Sequence, residues 1–174
     1  MTTATAVLRQ QLAGYHAILE QTMDDVPADA LDRTLPGATI GNIASVYAHT
    51  VFSEDQILHG MLQGKAPLYR TGSWAARAGL EMPATDMLTE EWSRAAKKVN
   101  LAAFREYAKA VYAASDAYVA GLSDADLDRK LDTGFIGEQT VAFVVSNVLG
   151  WHAAEHNGEI AALKGAFGLK GLPF

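Results

Sequence analysis

The chain has no cysteine in its 174 residues. That excludes disulfides, thiolate metal ligands and a thiol nucleophile supplied by the protein itself. It also lacks a Lys/Arg cluster, and its formal net charge is −6. A nucleic-acid footprint needs a basic face, so nucleic acid is not an expected partner; the mild acidity speaks mainly for solubility. Long hydrophobic runs are missing as well. The most apolar stretch, 141–149, is broken by Ser146 and Asn147 and soon followed by His152, which fits a buried helix and no membrane span. The start, Met1-Thr2-Thr3-Ala4-Thr5, has neither the basic region nor the apolar core of a signal peptide, so the expected location is the cytoplasm. There is no Gly-x-Ser-x-Gly elbow, no Gly-rich phosphate loop and no alternation long enough to argue for a sheet.

What the chain does have is helical periodicity. Val7, Leu8, Leu12, Tyr15, Leu19 and Met23 recur at steps of three and four, predicting a first helix over about 5–25 that Pro27 closes. Thr39 is a plausible N-cap for a second helix over about 40–63, with Ile40, Ala44, Tyr47, Val51, Leu58 and Met61 as its apolar stripe. A polar stripe of Asn42, His49 and Gln56, flanked by Ser45 and Ser53, is either its solvent face or the lining of a wet cavity. The stretch from Lys65 to Thr85 reads as a long functional loop or crossover with a short helix near Trp74–Ala78. A third helix is expected over about 89–120, with Trp92, Ala95, Val99, Tyr107, Val111 and Tyr118 buried, and Ser123–Gln139 as a loop. A fourth helix covers about 140–164, and the tail from Ala166 should pack irregularly on the surface. The sum is all-α: one domain, 1–174, built as a four-helix bundle with a long crossover between helices two and three.

The fourth helix carries His152 and His156, four residues apart and therefore one turn apart on one face. Two imidazoles so placed can grip one metal ion. A faint internal echo suggests a third ligand. Asp29-Ala30-Leu31-Asp32-Arg33 resembles Asp126-Leu127-Asp128-Arg129; each is followed by a Gly-containing turn and a helix bearing His about three turns in, which pairs His49 with His152 and His156. Three neutral imidazoles on a divalent ion leave a position open, the arrangement of a catalytic rather than a closed structural site. Imidazole suits Zn, Ni, Cu and Fe alike. Glu155 and Glu159 are candidates to support the ligands from behind, with Glu159, one turn from His156, the better placed. His16 and His59 read as ordinary core or surface histidines. His152–His156 also matches His-x-x-Glu-His of inverted zinc proteases, but their downstream carboxylate ligand has no counterpart, because Glu159 is the only acid after His156. Two Glu-x-x-His motifs, as a di-iron bundle requires, are absent.

These residues resemble the DinB-like (DinB/YfiT) superfamily of metalloenzymes from about Leu8 to Leu163. The likeness is strongest at Thr39-Ile40-Gly41-Asn42-Ile43 leading to His49, and at His152 to Ile160. The resemblance implies a divalent metal, usually zinc or nickel, on the positions matching His49, His152 and His156. It implies a homodimer acting on a small-molecule substrate. It also implies a transferase or related activity, such as thiol-dependent S-transfer with bacillithiol, mycothiol or glutathione, in which the metal activates the thiol of the small molecule. A hydrolase, or a non-catalytic metal- or ligand-binding bundle linked to stress response, are the alternatives. Many relatives carry His directly before the last ligand and Arg-Gly-Gln after it, where this chain has Glu155 and Asn157-Gly158-Glu159.

Overall fold

The computed structural model describes residues 2–81, 92 and 98–174. The first helix, Ala4–Met23, is capped by the Thr3 hydroxyl, which accepts from the Ala6 N–H. The second runs Ile43–Asp55 and continues as a π-helical segment, Gln56–Met61. The third is Leu101–Ala120. The fourth is assembled from Val141–Phe143, a π-helical segment Val144–Trp151, and His152–Ala166. Between the second and third lie single turns of helix at Leu68–Thr71 and Trp74–Ala78, the latter at its expected place.

Side-chain partners fix the helix directions. On the first two helices Glu20 accepts from Tyr47 and Glu54 pairs with His16, so numbering rises on one as it falls on the other. Arg105 bonds Glu20 and Asp24 while Arg9 bonds Asp116, so the third helix is also antiparallel to the first. The fourth is parallel to the first: Tyr15 lies against Gly150, and Lys164 donates to the Thr22 carbonyl and to Asp25. A Cβ at Gly150 would come within 3.0 Å of the Tyr15 ring, so the missing side chain lets these two helices approach. The second and third helices therefore point the same way, and the chain between them must travel the length of the bundle. That is why the connection is long.

Several boundaries differ from the sequence reading. Asn42, not Thr39, caps the second helix; its side-chain oxygen accepts the Ser45 N–H at 2.8 Å, and Asn outranks Thr as a cap. The third helix starts at Leu101, because Lys98–Asn100 is not helical and Asn100 accepts from the Ala103 N–H. The expected start at Thr89, and Ala95 of its stripe, lie outside the described residues. The loop 123–139 contains a helical turn, Asp124–Asp128, closed by a Ser123–Asp126 capping box, and a hairpin pairing Lys130–Asp132 with Glu138–Thr140. The echo is partly realised. Its two segments form the helical turns Ala28–Leu31 and Asp124–Asp128, and Gly37 and Gly137 both adopt left-handed φ, +75° and +76°, before the histidine-bearing helices. In the tail, Phe167 and Leu169 pack partly against the core.

The larger core cluster gathers Phe52, Phe104 and Tyr107 with Tyr69 of the crossover. The other groups Leu8, Leu12, Val144, Val145 and Leu149 around the π-helical part of the fourth helix. Asp55 is completely buried and ties the crossover down. Its carboxylate accepts from the Leu68 and Tyr69 N–H groups at 2.9 and 3.0 Å, from Tyr107 Oη at 2.7 Å and from His59 Nδ1 at 2.7 Å. Removing the carboxylate takes the acceptor from the Leu68 and Tyr69 N–H groups and from Tyr107 Oη, and leaves His59 Nδ1 only the Asp55 carbonyl at 3.2 Å. Asp55→Ala should cost about 3–5 kcal/mol of unfolding free energy and Tyr107→Phe only about 1 kcal/mol. Urea titrations giving similar, small losses for both would contradict this role.

Candidate metal centre

Half-buried residues make a continuous line down the second helix: His49, Ser53 and Gln56. Asn42 and Ser45, at its start, are fully buried. The polar stripe is therefore not a solvent face. It lies along the seam with the fourth helix, whose own half-buried line includes His152, His156 and Glu159. Glu155 points to the exposed side of that helix.

The seam brings the three histidines together. His152 Nε2 lies 3.2 Å from His49 Nε2 and 3.0 Å from His156 Nε2. The His49 and His156 rings are 4.7 Å apart between centroids, edge to face, and the three potential ligand atoms all fall within 4.8 Å of one another. Among the described residues this is the one group of three or more such side chains able to share an ion. Two imidazole nitrogens on one ion, each at roughly 2.0–2.1 Å, stand about 2.9–3.4 Å apart for octahedral to tetrahedral angles. The two contacts of His152 lie inside that interval, and with the third pair within 4.8 Å the three histidines could hold one metal ion.

Electrostatics keep the rings available. Burial, reinforced by the neighbouring His156, holds His49 down at about 4. Burial, with His156 and His49 beside it, holds His152 at about 3. Both are neutral near pH 7 and offer lone pairs without first losing a proton. His156 Nδ1 donates to Glu159 Oε2 at 2.6 Å, which fixes the ring, directs Nε2 into the cluster and lowers the Glu159 carboxyl below its usual range. His49 Nδ1 is buried and makes no hydrogen bond among the described residues.

The other two histidines are structural partners of buried acids. His16 Nε2 bonds Glu54 at 2.9 Å, and Ser115 donates to the same carboxylate at 2.5 Å. His59 bonds Asp55. The spacing of Asp55 and His59, one helical turn apart, was the available signal for the second pair. The first joins separate helices and leaves no local trace.

A helical bundle with a three-imidazole cluster between its second and fourth helices defines the class. The DinB superfamily model matches residues 11–160, and the chain belongs to that superfamily. The fold is shared with a conserved protein from Enterococcus faecalis, known from its crystal structure: TM-score 0.75 and 18% identity, covering 92% of this chain and 94% of that one. No curated protein matches the chain.

The pH dependence follows from the depressed imidazoles. Unfolded, these rings take up protons below about pH 6.5, but the native His49 and His152 resist until about 4 and 3. The unfolded state binds more protons through that window, so the metal-free protein loses stability as pH falls from 6.5 toward 4. The slope of melting temperature against pH should be shallower in a His49→Leu/His152→Leu variant. An unchanged slope would contradict the assignment of neutral, desolvated rings.

Proposed function

We propose that His49, His152 and His156 hold one divalent metal ion, zinc or nickel, and that the protein is a metal-dependent enzyme acting on a small molecule. The activity proposed is transfer to or from a low-molecular-weight thiol, an S-transferase or related reaction. The convergence of three imidazole nitrogens, two of them on rings that burial keeps neutral, carries this reading. The ion, when bound, supplies a Lewis acid that lowers the pKa of a thiol or water entering its remaining positions. The chain's own part is to hold the rings. The second helix presents His49, the fourth presents His152 and His156, and Glu159 fixes the His156 tautomer with its Nδ1–H. Since the protein has no cysteine, the thiol would come from the small molecule. Glu155, on the exposed side, has no such positioning role.

Superfamily membership supports a metal-associated role but does not select a reaction, because one fold hosts many chemistries. The same reading takes the protein as a cytoplasmic homodimer with neither nucleic acid nor membrane as partner. It rests on the mild acidity, the scattered Lys and Arg, and the family resemblance. Among the described residues, no helix is long and apolar enough to cross a membrane.

Untagged protein purified without added metal should carry about one equivalent of zinc or nickel, lost in His152→Ala/His156→Ala and strongly reduced in His49→Ala. Glu159→Gln should weaken metal affinity about 10–100-fold while leaving the helix content unchanged. A panel of small thiols with an electrophilic acceptor should then show turnover that needs both metal and thiol. Metal binding without thiol-dependent turnover would leave a non-catalytic metal-binding bundle. No metal after reconstitution at neutral pH would overturn the metal centre itself.

A further inference from the structure

A second feature lies away from the three-histidine cluster, on the seam between the second and third helices where the crossover departs. It is an open cleft of about 660 Å³, in the range of small-molecule sites. His59, Gln63 and Lys65 form one wall. His59 is almost wholly buried, and its Nδ1 is committed to the carboxylate of Asp55 at 2.7 Å. Asp55 is in turn locked by Tyr107 and by two backbone N–H groups. Such a carboxylate fixes both ring orientation and tautomer. In the Nδ1–H tautomer Nε2 is the ring's acceptor atom, and it has no hydrogen bond among the described residues and is not sealed from solvent.

The cation beside it is also placed. Gln63 Nε2 donates to the Leu58 carbonyl at 3.1 Å, and its Oε1 accepts from Lys65 Nζ at 2.9 Å. Among the described residues no Asp or Glu lines the cleft to neutralise the ammonium. The facing surfaces are mainly apolar, from Leu68 of the crossover and Ala114 and Ala117 of the third helix, with Thr71 and Tyr118 beside them. An oriented acceptor, one uncompensated positive charge and apolar walls describe a ligand with three matching parts: an acidic group, a hydroxyl and a short apolar body.

We infer that this cleft is a second small-molecule site, selective for hydroxy-carboxylates, with Lys65 pairing the carboxylate and the Asp55-oriented His59 Nε2 accepting from the hydroxyl. It requires no metal and no contact with His49, His152 or His156. Its occupant enters between the crossover and the third helix.

Long-range proton–nitrogen NMR of the histidine side chains tests this in the full chain. The probe is mandelate, which has all three parts, compared with phenylacetate, which lacks the hydroxyl, and mandelamide, which lacks the charge. Mandelate should shift the His59 ring nitrogens along a saturable curve, equally in wild type and in His152→Ala/His156→Ala. Each comparison compound, and mandelate with the Lys65→Gln variant, should bind about tenfold more weakly. Lys65 is exposed, so its replacement leaves the fold intact. No saturable shift, equal response to mandelate and phenylacetate, or indifference to Lys65→Gln would each overturn the site. So would a response that disappears when His152 and His156 are removed, since it would then belong to the other cluster.

Discussion

Three imidazole nitrogens are crowded into one half-buried seam, and the structure depends on that crowding being tolerable. Imidazolium charges at about 3 Å would repel strongly where water cannot screen them. Burial settles the conflict by keeping His49 and His152 neutral. A neutral ring carries one N–H and one lone pair, and lone pairs turned inward are the arrangement that one shared cation satisfies. His152 Nε2 lies close to both of the other nitrogens and has either one proton or one lone pair to give. The DinB-superfamily bundle is thus organised around a seam whose chemistry points to metal.

The rest of the bundle holds that seam in register. Lys164, buried at the end of the fourth helix, reaches the Thr22 carbonyl and Asp25 at the end of the first. Gly150 lets Tyr15 close against the same pair of helices. Glu20 gathers Tyr47, Tyr112 and Arg105 from the second and third helices. These contacts set the height of the second helix against the fourth, and so of His49 against His152. π-Helical segments are frequent at functional sites. Here one leads straight into His152 and the other follows His49 by two turns. The wider turns shift side-chain phase along both helices that carry the cluster.

Much of this was readable in the residues because it is local. Three apolar stripes at helical spacing and the apolar run at 141–149 predicted four helices, and the four-residue step from His152 to His156 put two rings on one face. His49 needed more, a weak echo and a family resemblance, because its partners are about a hundred residues away. The polar stripe of Asn42, His49 and Gln56 could not reveal on its own that a helix would cover it. Boundaries shifted where two caps competed, as with Thr39 and Asn42, and where Asn100 ended the continuity suggested by the Val99 stripe. The buried pair His16–Glu54 was missed because it joins separate helices, and His59–Asp55 because a one-turn spacing alone does not show that both groups are buried. The hairpin 130–140 is too short for alternation to announce it.

The central claim is that one ion is held by three imidazoles drawn from two helices. X-ray absorption at the edge of the bound metal reads the ligand set directly. The account predicts three imidazole nitrogens at roughly 2.0–2.1 Å, with multiple-scattering features of the rings, and two in the His49→Ala protein. A first shell with at most one imidazole, or one unchanged by loss of His49, would contradict it.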